Sequence, residues 1–86
     1  MPITFLVLFD RKVQILNSHV IKYREPYGSE ISSSKWNAQF IGRSEKSNFV
    51  VGDGIDGISG ATISVYSMTT GVMKLSLLFP LIKSQL

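Results

Sequence analysis

Residues 56–64 read Asp56-Gly57-Ile58-Ser59-Gly60-Ala61-Thr62-Ile63-Ser64, or DGISGATIS, and the reading of the fold turns on this stretch. Upstream of it the chain reads as strands, loops and one short helix; downstream, apolar residues recur at helical spacing. The two glycines permit a tight backbone approach, and a hydroxyl residue then opens the periodic segment. The pattern predicts a turn feeding a helix N-terminus. The first N–H groups of a helix have no intrahelical partner, and the helix dipole favours negative charge there by roughly 0.3–1 kcal/mol. An anion is the natural guest, and Thr62 stands where a phosphate would sit. The same residue types are also ordinary turn and N-cap residues, so a plain capped helix is the alternative reading of the stretch.

After Thr62, Val65, Met68, Val72 and Leu75 or Phe79 recur at helical spacing, with Ser64, Ser67, Thr70 and Lys74 opposite. One amphipathic helix is expected, with Met68 and Met73 in its buried stripe. Gly71 weakens it by roughly 1 kcal/mol relative to Ala, and Pro80 is expected to end it near Phe79. Lys74 interrupts the apolar run, which argues against a membrane span, and residues 81–86 are too short a tail to assign.

Upstream, Ile3 to Phe9 is almost uninterruptedly apolar and rich in β-branched and aromatic residues, which suits a strand covered on both faces. Asp10-Arg11-Lys12 breaks the run. Val13 to Arg24 resumes with apolar residues at 13, 15 and 16 and again at 20, 21 and 23, so two registers meet near Asn17-Ser18 and a β-bulge is expected there. Together these segments form an antiparallel hairpin whose turn lacks the usual Gly. Glu25-Pro26-Tyr27-Gly28 ends the second strand, since Pro cannot donate to a ladder and Gly permits a turn. Ser32-Ser33-Ser34 offers N-caps for a short helix over 35–41, with Trp36, Phe40 and Ile41 on its core side and Gly42 as its stop. Residues 43–48 read as a solvated polar loop. Phe49-Val50-Val51 and Ile55 to Ile58 read as short strands around Asp53-Gly54. The fold class is therefore α+β: a small antiparallel β-sheet with a short helix and a C-terminal helix packed on it.

The composition excludes several functions. Eighty-six residues without a cysteine make one domain, residues 1–86, with no disulfide and no thiolate metal site. The single histidine, His19, is isolated on a strand, and nothing orients a Ser-His-Asp triad. The net charge of +3 comes from nine scattered Lys and Arg, with no run that would form a nucleic-acid patch. The apolar start lacks a basic n-region and a cleavage site and is far shorter than a membrane span.

An acidic residue followed by Ser-Gly-Ala-Thr, with Asp56 and Thr62 at its ends, resembles the flavinylation motif of the FMN-binding domain family. That family includes flavinylated subunits of the sodium-pumping NADH:quinone oxidoreductase and of Rnf-type complexes, and small domains of bacterial reductases. Two looser matches accompany the motif. Glu25-Pro26-Tyr27-Gly28 is similar to the family's Glu-Thr-x-Gly loop, which lies near the flavin, and Gln39-Phe40-Ile41-Gly42 is similar to its Gln-Phe-x-Gly segment.

The resemblance implies FMN as cofactor, carried as a phosphodiester on Thr62 and used in electron transfer. Thr62 would then be a substrate of modification, esterified by a separate flavin transferase using FAD. N–H groups around Gly60 to Ile63 would hold the phosphate, within a site spanning Ser59, Gly60, Ala61, Thr62, Ile63 and Ser64. Asp56 would help present the motif to the transferase, and Glu25 and Gly28 belong to the neighbouring loop. Tyr27 and then Trp36 are the candidate aromatic walls for the isoalloxazine ring. Redox partners in a membrane electron-transport complex and an extracytoplasmic, membrane-associated location are implied too. Since the chain carries no recognisable leader or anchor, it is expected to be a fragment of a longer protein or to depend on a partner for location. The alternative is a module that binds FMN or another phosphate ligand reversibly, without covalent flavin.

Overall fold

A computed structural model of the chain describes residues 3–25 and 28–84. Strand β1 (Ile3–Phe9) and strand β2 (Ile15–Tyr23) pair antiparallel. They form the only sheet among the described residues. Helix α1 (Ser34–Asn37) is flanked by 3₁₀ turns at Ser29–Ser32 and Ala38–Phe40, and helix α2 (Thr62–Lys83) closes the fold. The α+β architecture expected from the sequence is the one observed.

The hairpin differs from expectation in three instructive ways. Its register skips Leu16 between Phe9↔Ile15 and Leu8↔Asn17, and skips Ile21 between Phe5↔Val20 and Thr4↔Lys22. Two irregularities therefore reconcile the apolar registers where one was expected near Asn17-Ser18. Second, β1 is covered on one face only: Ile3, Phe5, Val7 and Phe9 turn inward, while Leu6 and Leu8 remain 46% and 43% exposed. The run of apolar side chains hid an ordinary inward–outward alternation. Third, the turn closes without glycine because the Asp10 carboxylate accepts hydrogen bonds from the Lys12 and Gln14 amides at 2.8 and 2.9 Å. Val13 takes the left-handed conformation instead, at φ 62°.

Helix α1 is short but firmly held. The Ser33 hydroxyl caps it by accepting from the Trp36 amide at 3.0 Å. Buried Asn37 donates to the Ile31 and Ser33 carbonyls at 2.7 and 2.8 Å and accepts from the β2 residue Ser18 at 2.6 Å, so no buried polar atom of Asn37 is left to strain the core. Trp36 and Phe40 face inward as expected, but Ile41 is half exposed. The chain turns away after Phe40, with Gly42 at φ 84°. The Gly42 amide and the Arg43 carbonyl then bond to Ile15 at 2.7 and 2.8 Å, securing the start of β2.

The expected strands at 49–51 and 55–58 are not formed; an isolated bridge joins Val51 and Ile55. The amides of Asp53, Gly54 and Ile55 all converge on the Val50 carbonyl, a tight loop that leaves no ladder to extend. Nor is the 43–48 segment merely solvated. The Arg43 guanidinium donates to the carbonyls of Gln39, Asn48 and Gly54 at 2.7, 2.5 and 2.6 Å and lies 5.9 Å from the Phe49 ring centre. It binds the loop that delivers the chain to Asp56.

Helix α2 buries Val65, Met68 and Val72 completely against the hairpin, each contributing roughly 1.5–3 kcal/mol. That exceeds the helix cost of Gly71, and the glycine has its own reason: a Cβ there would stand 2.6 Å from the Phe5 ring. Pro80 does not end the helix, which runs on to Lys83. Proline removes one N–H, but Ser84 bonds back to the Pro80 carbonyl at 3.1 Å. Phe79 stacks on Phe9 with centroids 4.8 Å apart, so packing holds the last turns. By length and mean hydropathy α2 is apolar enough to cross a membrane, Lys74 notwithstanding. Its first half nevertheless serves as the core helix of the domain, while Leu77, Leu78, Leu81 and Ile82 lie exposed on the second half.

Candidate functional site

The sequence places Thr62 at the mouth of a helix, and the structure makes it the first residue of α2. Ala61 occupies the cap position with φ −131° and ψ 36°, and no side chain caps the helix among the described residues. The chain reaches this point through Gly60 at φ 81°, a left-handed turn closed by the Ala61 amide donating to the Ile58 carbonyl at 3.1 Å. That bond takes the Ala61 amide out of the set expected to meet a phosphate. The Val65 amide is likewise occupied, donating to the Ala61 carbonyl at 3.0 Å. The helix geometry leaves the amides of Thr62, Ile63 and Ser64 without an intrahelical acceptor.

These residues open on a cavity of about 380 Å³, lined by Tyr23, Glu25, Gly60, Ala61, Thr62, Ile63 and Ser64. Its size lies within the range of roughly 300–1,000 Å³ typical of small-molecule sites. The hydroxyls in and beside it differ sharply. Thr62 is exposed, whereas Ser64, expected on the polar side of the helix, is 6% exposed and accepts a hydrogen bond from the Tyr23 hydroxyl at 3.1 Å. Ser59 is exposed in the preceding turn and does not line the cavity.

Gly28, after β2, lies against the same place. A Cβ on Gly28, which has φ 80°, would fall 2.2 Å from the Ala61 Cβ and 3.1 Å from the Tyr23 hydroxyl. Any side chain there would press on the helix mouth. Tyr27, the first expected aromatic wall, lies with Pro26 outside the described residues. Trp36, the second, is elsewhere: it is 8% exposed, meets Phe40 edge-on at 5.2 Å, and donates from Nε1 to the Asp56 carbonyl at 3.0 Å. The Asp56 amide in turn donates to Gln39 at 2.8 Å. The backbone of Asp56 is thus clamped between two side chains while its carboxylate is exposed. Trp36 and Asp56 border a separate groove with Gln39 and Lys35, so the structure does not bring them to the Thr62 cavity. Tyr23 is the aromatic residue that sequence reasoning missed; its place at the end of β2, just before the Gly28 loop, was the available signal.

The cavity offers an uncapped helix N-terminus and an exposed hydroxyl; no lysine or arginine among the described residues lines it, whereas Glu25 does. No group of described residues could form a metal centre.

A hairpin crossed by one long helix, with that helix's open N-terminus facing a cavity, defines a small α+β ligand-carrying domain. The chain matches the family model of the FMN-binding domain over residues 1–76, and it belongs to that family. Neither a curated protein nor a solved structure matches it. FMN is accordingly the cofactor class of this flavoprotein domain.

Proposed function

We propose that the chain carries FMN covalently, as a phosphodiester on the Thr62 hydroxyl, and serves in electron transfer. The observation that carries this reading is the exposed Thr62 hydroxyl at a helix N-terminus that no side chain caps. A helix without a ligand ordinarily gains about 1 kcal/mol from a Ser, Thr, Asp or Asn cap, and this one leaves the position to Ala61. The charge of the cavity supports the covalent form. Free FMN brings a phosphate of nearly two negative charges to a cavity bordered by Glu25, whereas a diester brings one.

In the transfer, the Thr62 oxygen bonds to the flavin-side phosphorus of FAD. The bond from that phosphorus to the bridging oxygen breaks, AMP departs with that oxygen, and the hydroxyl proton passes to a base of the flavin transferase. The amides of Thr62, Ile63 and Ser64 then hold the diester, and Asp56, exposed on its clamped backbone, presents the motif to the transferase. Flavin, once attached, supplies the redox chemistry; the protein supplies position and field. The exposed leucines of the second half of α2 support a membrane-associated setting, with redox partners in an extracytoplasmic electron-transport complex.

The test uses Thr62→Val, which keeps the shape and removes the oxygen. Exposed to a flavin transferase and FAD, the unaltered chain should give a fluorescent band in a denaturing gel and a mass gain of FMN less one water. The valine variant should give neither. A band that survives the substitution would sink the assignment of Thr62, and flavin that leaves both chains on denaturation would establish reversible binding instead.

A further inference from the structure

Strand β1 has one edge paired and one edge open. β2 lies along the first, and among the described residues no strand pairs along the second. The far side of β2 is closed by contrast, since Ile15 bonds there to Gly42 and Arg43, and Ser18 to Asn37. Burial falls toward the open edge: Ile15 and Ser18 are buried, while their ladder partners Phe9 and Val7 are half-buried. We propose that this edge is a docking site for one extended segment of a partner protein, which adds as a third strand beside β1 and carries a carboxylate to Lys74. The inference concerns a surface apart from the Thr62 cavity and does not rest on covalent flavin.

The space such a strand would fill is present. A groove of about 570 Å³ opens between β1 and α2, its lining includes Phe5, Tyr66, Thr70, Gly71, Lys74 and Leu75, and no described residue of β2 lines it. Helix α2 runs along β1, because Gly71 meets the Phe5 ring and Phe79 stacks on Phe9. Eight residues of helix rise about 12 Å and four of strand about 13 Å, so the two elements keep step. Tyr66 is therefore level with Ile3, and Lys74 and Leu75 with Leu6 and Val7, a span for a strand of about five residues. Side chains of an added strand alternate between faces. Those turned inward enter the groove over Phe5, where Gly71 and Thr70 are too small to fill it, and those turned outward lie beside the exposed Leu6 and Leu8. Gly71 stands about 180° around the helix from Thr62, so a docked strand leaves the Thr62 hydroxyl open.

The sequence of β1 agrees with a strand that is meant to be paired. Edges left free are ordinarily protected by a lysine, a proline or a bulge, and Ile3 to Phe9 contains no charged residue and no proline. The extra residues at the two irregularities, Leu16 and Ile21, belong to β2, so β1 itself runs unbroken. Charge then selects the occupant. Lys74 is exposed and is the one charged residue among the described ones that line the groove. A second copy of the chain suits it poorly. Two antiparallel β1 strands keep inward residues inward with Leu6 opposite Leu6, and that two-fold brings both Lys74 side chains to one axis with no counter-charge. A partner segment with apolar residues at alternate positions and Glu or Asp at the inward position beside Lys74 supplies the missing charge.

The experiment titrates the full chain, labelled with nitrogen-15, with the end-capped peptide Thr-Ile-Thr-Phe-Thr-Glu-Thr, whose Ile, Phe and Glu share one face. Saturable amide shifts confined to β1 and to residues 66–75 of α2 are expected. Replacing the peptide's Glu by Lys should weaken binding several-fold, and Lys74→Glu, a change at an exposed position, should reverse that preference. Of two peptides N-methylated on alternate residues, one should bind and the other should not, because only one set of amides faces β1. No saturable binding, shifts centred elsewhere, equal affinity for the Glu and Lys peptides, or equal effects of the two methylation patterns would overturn the proposal. A concentration-dependent dimer in sedimentation, dissociated by the peptide, would assign the edge to a second copy instead.

Discussion

Gly28→Ala offers the sharpest test of how the loop after β2 meets the helix mouth. The substitution meets two costs. At φ 80° an L-residue sits in the left-handed region, which costs roughly 1–2 kcal/mol. The added methyl would also lie 2.2 Å from the Ala61 Cβ, and overpacking of this kind typically costs about 1–3 kcal/mol as neighbours shift. A stiffer unfolded chain returns roughly 0.4–1 kcal/mol, which leaves a net loss of about 2–4 kcal/mol. For a domain of this size that lowers the Tm by about 10–25 °C, readily measured by circular dichroism. The double variant Gly28→Ala/Ala61→Gly separates the two costs. It removes the methyl–methyl overlap but keeps the backbone strain, and glycine is accepted at a helix cap. It should therefore recover about half of the loss. A single variant as stable as the parent, or a double variant no better than the single, would refute the close approach of Gly28 to Ala61.

Three further outcomes follow from the geometry. Arg43→Met should cost about 2–4 kcal/mol, because three charge-assisted bonds to the carbonyls of Gln39, Asn48 and Gly54 are lost together; urea unfolding measures it. Val13→Asn should stabilise the hairpin by about 0.5–1 kcal/mol, since asparagine tolerates the left-handed conformation that valine strains to adopt, and a lower Tm would contradict this. Asp56→Ala should change stability by less than about 0.5 kcal/mol, because only its backbone is held, yet abolish or slow flavinylation; transferase kinetics followed by intact mass decide it.

What could be read from the chain alone was whatever local chemistry determines. The hairpin, the serine cap before Trp36 and the turn into α2 each rest on residues close in sequence, and each is present in the structure. What could not be read depends on distant partners. Arg43 looks like a solvated cation until its three carbonyl acceptors are assembled around it. Ser64 looks like a polar-face residue until the Tyr23 hydroxyl arrives from a strand 41 residues earlier. Pro80 reads as a stop because the isolated helix loses a bond there, but Phe79 stacked on Phe9 holds the helix beyond it. Gly71 reads as a weak point until Phe5 is found to fill the space its missing side chain leaves. For the candidate site, Thr62 and its glycine approach were legible, while Tyr23 at the cavity wall was not, because its partner Ser64 lies 41 residues away in sequence.

The motif offers three hydroxyls within six residues, and burial separates them. Ser59 is exposed in the turn before the left-handed Gly60, but it does not line the cavity at the helix mouth. Ser64 belongs to the first turn but is buried and engaged by Tyr23, and freeing it would forfeit a hydrogen bond worth about 0.5–1.5 kcal/mol. Thr62 alone of the three combines solvent access with the first helical position. Gly28 approaches from the other side, where a Cβ would meet the Ala61 Cβ at 2.2 Å. On the covalent reading proposed above, selection of the attachment point would follow from the fold: a transferase that merely recognises the segment would find Thr62 in reach, with the amides of Thr62, Ile63 and Ser64 left to hold its product.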